Sequence, residues 1–180
     1  MTRSLIPLVA GILALVSFVH AGHGPMGPRR IHRHGEVLTA LNKAVNAPVN
    51  IIPGRGHGQV WEIMETKDEE FVHIYQMDSG LFLAPQNRED PMPYTPLVLS
   101  PFPQKWKLVE CEDCHEDEDM YLIELNEKID GKTMVLDNSR IHVYPPMAGL
   151  VPKERGNRKQ MWEFEDATGG HHRRNRPQWE

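Results

Sequence analysis

Apolar residues in this 180-residue chain alternate with polar ones over short runs, and the runs recur in the same order three times. Period-two alternation bounded by turn residues predicts strands with one buried face. Between residues 70 and 110 it predicts four: Phe71–Tyr75, Leu81–Leu83, Pro96–Leu99 and Trp106–Val109, separated by Asp78-Ser79-Gly80 and by proline-rich loops. Residues 120–166 repeat the order with Tyr121–Leu125, Thr133–Leu136, Ile141–Tyr144 and Trp162–Phe164. The first copy spans 29–65 and opens weakly, on Arg30–Arg33, where Ile31 is the only large apolar residue.

Each copy closes on Gln-x-Trp: Gln59-Val60-Trp61, Gln104-Lys105-Trp106 and Gln160-Met161-Trp162. From the turn glycines Gly35, Gly80 and Gly131 to these glutamines the separations are 24, 24 and 29 residues, so one unit is used three times, with a five-residue insertion in the third, assigned to the loop 147–159. Twelve short strands in three fourfold units predict an all-β, closed structure, because closure removes exposed edges. A propeller needs about four to eight blades, more than three copies supply. The pattern resembles the β-trefoil, in which three four-stranded repeats share a barrel and a hairpin cap, and whose ricin-B-like members carry Gln-x-Trp in each fourth strand. The resemblance covers residues 29–166 and implies that Trp61, Trp106 and Trp162 are core residues, each needing a partner for its indole N–H. A ligand-stacking platform is the alternative role for them.

The ends read differently. Arg3, an apolar stretch from Leu5 to Val19 and the small-residue site Val19-His20-Ala21 predict a secretory signal peptide over 1–21, too short for a membrane span of about 20 residues. Residues 22–28 are read as a flexible Gly/Pro-rich segment and 167–180 as a flexible basic tail carrying Arg173, Arg174 and Arg176. The expected product is a secreted, extracellular monomer. Loss of Arg3 takes the formal charge from −5 to −6, which argues against nucleic acid as the partner, and no second hydrophobic span suggests a membrane. There is no Asn-x-Ser/Thr sequon.

The two cysteines, Cys111 and Cys114, lie in a connector with seven carboxylates among residues 110–119. Cys111 to His115 matches the spacing of covalent haem attachment, but a charged β connector offers no apolar enclosure for haem. Zinc would need a fourth ligand beyond Cys111, Cys114 and His115. The carboxylates lack the order of a calcium loop. A local disulfide between Cys111 and Cys114 suits an oxidising route, and no metal or cofactor is expected. The remaining histidines are scattered; only cleavage after His20 would expose the copper-binding tripeptide Ala21-Gly22-His23.

Motifs of catalysis are missing: no Gly-x-Ser-x-Gly, no His-Glu-x-x-His and no phosphate loop. The expectation is a non-enzyme that binds through loops on a rigid scaffold. Prolines after the third strands, read as Pro53, Pro101 and Pro145, together with the leader and the Gln-x-Trp strands, give a resemblance to fungal β-trefoil peptidase inhibitors of the cospin type. That resemblance implies inhibition of an endopeptidase, of the serine type first, by the loop after the second strand of repeat one: Leu41, Asn42, Lys43, Ala44, Val45 and Asn46, with Ala47 closing it. Lys43 would enter an acidic specificity pocket; Arg88, Lys153 and Arg155 are alternative loop residues. The other reading is a ricin-B-like lectin binding a glycan at Asp130, Tyr144 and Asn157, the combination of carboxylate, aromatic and amide such sugar sites use.

Overall fold

The computed structural model describes residues 24–111 and 119–168. Twelve strands follow in order: β1 (Gly27–Arg33), β2 (Glu36–Thr39), β3 (Asn50–Pro53), β4 (Trp61–Glu65), β5 (Val72–Gln76), β6 (Leu81–Pro85), β7 (Leu97–Ser100), β8 (Trp106–Glu110), β9 (Met120–Ile129), β10 (Lys132–Asn138), β11 (Ala148–Pro152) and β12 (Trp162–Asp166). A 3-10 turn, Arg158–Gln160, precedes β12. The first and fourth strands of each repeat pair antiparallel around a closed ring, β1–β4–β5–β8–β9–β12 and back to β1. The others form three hairpins, β2–β3, β6–β7 and β10–β11, which cap one end of the ring. This is the β-trefoil.

The repeat seen in the sequence is a repeat of hydrogen bonds. Trp61, Trp106 and Trp162 are fully buried. Each donates its indole N–H to the carbonyl of a leucine in the second strand of its own repeat: Leu38 at 2.9 Å, Leu83 at 3.0 Å and Leu136 at 3.0 Å. A tryptophan buries about 150–250 Å², at most about 4–6 kcal/mol of transfer free energy at ~25 cal/mol/Å². Pairing the indole keeps that gain from being spent on an orphaned donor. Ile31, the lone apolar residue of the weak first strand, is completely buried among them.

The cap is held in a cycle. The loop of the first hairpin meets β7 through Leu99 N–H to Ala47 O at 2.9 Å, that of the second meets β11 through Leu150 N–H to Thr95 O at 2.9 Å, and that of the third returns to β3 through Ile51 N–H to Pro146 O at 2.9 Å. Each hairpin loop thus completes the next repeat.

The glutamines divide two against one. Gln59 receives Gly56 N–H at 2.7 Å and donates to Gly54 O at 3.2 Å, while Gln160 receives Glu154 N–H at 2.8 Å and donates to Pro152 O at 3.1 Å. Both fold the loop before the fourth strand. In repeat two that loop is a short proline-bounded stretch, 101–105, and Gln104 turns instead to Asn126 Oδ1 at 2.8 Å.

Two readings need correction. The third strand of repeat three is Ala148–Pro152, and Ile141–Tyr144 is exposed loop. The proline closing that strand is therefore Pro152 rather than Pro145, and the first part of the loop assigned to 147–159 is strand. The reason is packing: a Cβ on Gly149 would lie 3.1 Å from Ser139 Cα and 3.3 Å from Thr95 O. The junction of the hairpins admits only small residues, and β propensity favoured the wrong segment. The second difference is smaller: β1 begins at Gly27, inside the stretch read as a flexible segment. The signal peptide, Cys114 and the tail beyond Thr168 lie outside the described residues.

Candidate functional site

The loop Leu41 to Asn46 is exposed along its whole length, with Leu41 and Val45 56% and 51% exposed. Its tip is a turn: Asn42 Oδ1 accepts the Ala44 N–H at 3.0 Å, and Ala44 O accepts the Ala47 N–H at 3.1 Å. Asn46 takes the left-handed conformation at φ 64° and gives its N–H to Leu99 O at 2.8 Å. Lys43 therefore stands on a turn whose base is bonded to the neighbouring repeat.

Arg88 lies beside this loop. Its guanidinium is 5.7 Å from the ring of Phe102, itself 62% exposed. Val45, Asn46, Arg88, Asp90, Met92 and Phe102 line one cleft of about 980 Å³. Two candidates from separate repeats thus share a surface, which linear spacing does not reveal.

A second cleft, of about 940 Å³, opens beside the loop after β11, lined among others by Lys132, Thr133, Lys153, Glu154, Arg155 and Asn157. Here Lys153 is committed: its ammonium lies 2.7 Å from the carboxylate of buried Glu124. Asn157 caps the 3-10 turn, accepting Lys159 N–H at 3.0 Å while donating to Glu154 Oε2 at 2.8 Å. Arg155 is exposed at the rim.

Asp130, Tyr144 and Asn157 do not converge. Asp130 sits in the β9–β10 turn, at the Lys132 end of β10, whereas Tyr144 belongs to the loop beyond Asn138 at its other end. β10, whose seven residues rise about 20 Å, lies between those two ends. Asp130 and Asn157 share an end, and Tyr144, 94% exposed, projects from the cap. The mistaken third strand produced that grouping.

Some important residues carried little sequence signal. Arg33, only 4% exposed, meets Asp137 Oδ1 at 2.7 Å, bonds to Lys159 O and lies 4.3 Å from the centre of the Trp162 ring. It ties β1 to the turn forming one wall of the second cleft. Tyr121, packed edge-on against Phe164 at 5.5 Å, has its phenol pushed above the usual range by burial, then by Glu110 and Asp119, with Arg29 opposing. Among the described residues, no group of three or more His, Cys, Asp or Glu could hold a metal ion. The Cys111–Cys114 bridge and the zinc and haem readings involve residues outside the described part.

No family model matches the sequence, and no curated protein does. Solved structures do. A designed threefold-symmetric protein, ThreeFoil, superposes with a TM-score of 0.62 at 18% identity, covering 78% of this chain and 99% of that one. The Macrolepiota procera ricin B-like lectin, solved with lactose, gives 0.60 at 18% identity over 77% of this chain and 94% of its own. The Rhizoctonia solani agglutinin gives 0.63 at 17% identity over 79% and 96%. At these identities the likeness establishes the fold, a single β-trefoil close to the length of those lectins.

Proposed function

We propose that the protein is a carbohydrate-binding β-trefoil with its glycan site in the second cleft. The observation that carries this reading is the mixed polar lining there: Lys132, Thr133, Glu154, Arg155 and Asn157 set donors and acceptors together at the Asp130 end of β10. Sugar hydroxyls need such alternating partners. The similarity to a lectin solved with lactose and to SeviL bound to asialo-GM1 saccharide supports the choice of ligand class. Secretion by the leader 1–21 and a bridge between Cys111 and Cys114 belong to the same reading, which calls for no cofactor. A glycan array probed with the secreted chain, followed by calorimetric titration of the strongest hit against wild type and Thr133→Ala, tests it. Binding that weakens in the variant is expected, and an array without hits refutes the reading.

A second reading, peptidase inhibition, is favoured by one specific feature: the exposed loop Leu41 to Asn46 is held at both ends, its C-terminal end to β7 through Asn46 N–H to Leu99 O and Leu99 N–H to Ala47 O, and its N-terminal end through Ala40 N–H to Gly58 O. A loop held in one shape loses little entropy when it docks. Titration of trypsin with wild type and Lys43→Ala measures this, since loss of inhibition in the variant would assign the role to Lys43.

A further inference from the structure

The loop in repeat three that corresponds to 41–46 is better presented for docking. Residues 140–144 are all exposed, with Ile141, Val143 and Tyr144 at 45%, 47% and 94%. Their base is anchored four ways: Ser139 N–H to Met147 O at 2.7 Å, Ile51 N–H to Pro146 O at 2.9 Å, and the Asn50 amide to Pro145 O and Pro146 O at 3.3 and 3.2 Å. Asn50 is 4% exposed. Pairing of the hairpins places Asn50 level with Val98 in repeat two and Gly149 in repeat three, which offer no such amide. Burying an amide has a desolvation cost, and here the amide serves the carbonyls beneath one loop.

We propose that residues 140–144 form a protein-docking finger whose anchor, Tyr144, fills the apolar, aromatic-accepting specificity pocket of an endopeptidase. The inference rests on the inhibitor reading and names the enzyme class and the anchor. Tyr144 lines neither cleft and stands out from the surface, so its complement is a concave site on a macromolecule. A small ligand needs walls around it, and this side chain has none. Exposed tyrosine combines large contact area with few rotatable bonds, which suits an anchor. Pro145 and Pro146 follow, with φ fixed by their rings, and the Asn50 amide bonds hold their carbonyls. The finger therefore enters a pocket with its shape already set.

The test is inhibition of chymotrypsin and of trypsin by the full chain, with small chromogenic substrates, for wild type, Tyr144→Ala, Tyr144→Phe and Lys43→Ala. Expected are stronger inhibition of chymotrypsin than of trypsin, a chymotrypsin inhibition constant raised roughly 30-fold or more by Tyr144→Ala, and little change in it with Tyr144→Phe. Unchanged thermal unfolding of Tyr144→Ala separates lost docking from lost folding. Chymotrypsin inhibition that survives Tyr144→Ala but fails with Lys43→Ala overturns the finger and keeps the inhibitor reading. Absence of inhibition for both enzymes overturns the two together.

Discussion

The guanidinium of Arg33 meets the carboxylate of Asp137 at 2.7 Å, with side-chain exposures of 5% and 19%. The pair joins the first strand of the barrel to the last hairpin. Asp137→Ala would leave the cation buried against Trp162, and such losses cost about 3–5 kcal/mol. The exposed pair of Lys105 and Asp68 provides the control, since Asp68→Ala should stay within about 1 kcal/mol. Urea unfolding of the two variants measures the contrast.

Gly58 and Gly54 both adopt positive φ, at 72° and 84°, in the loop before β4. At Gly58 a Cβ would sit 2.1 Å from Ala40 O, whereas at Gly54 nothing lies within 4 Å. Gly54→Ala should therefore carry only the left-handed strain, about 1 kcal/mol. Gly58→Ala adds a backbone clash and should lower the melting temperature much further, which differential scanning calorimetry will register.

Tyr121 makes the fold sensitive to alkali. Burial, then Glu110 and Asp119, raise its pKa above the ordinary 10.0. Because the raised value belongs to the folded state, its contribution is complete below the unfolded pKa and fades as pH climbs through the folded one. Stability should fall above about pH 10 in wild type and fall less in Tyr121→Phe, as shown by melting temperatures across a pH series.

Gln160 shapes the wall of the second cleft without facing a ligand, through its bonds to Glu154 N–H and Pro152 O. Gln160→Ala should loosen the loop 153–158, speeding tryptic cleavage at Arg155. Any glycan bound in the cleft should then bind more weakly although no lining side chain has changed.

The barrel was legible because its signals are local and repeated. Trp61, Trp106 and Trp162 mark the fourth strands, and alternation around Ile74, Leu83 and Ile123 marks the buried faces. β11 was not, because Gly149 is selected by closeness to Ser139 across its own hairpin and to Thr95 in the preceding repeat. That one error grouped Tyr144, in the loop beyond Asn138, with Asp130, in the turn before Lys132 at the other end of β10. Neither the meeting of Val45 with Arg88 nor the reach of Asn50 to Pro146 could be read in advance, since both depend on how the ring closes.

The bonds Leu99 to Ala47, Leu150 to Thr95 and Ile51 to Pro146 run from each repeat to the next and from the last back to the first. Such a circuit has no beginning. One repeat alone would expose two sets of unpaired strand amides, so two thirds of the chain should not form two thirds of the fold. Conversely, a chain opened between β4 and β5, with its old ends joined by a linker, would retain every one of these bonds. The circuit uses backbone groups at the loop bases and leaves the side chains at the loop tips free to change, and three such tips on one indivisible body are what successive changes of binding partner require.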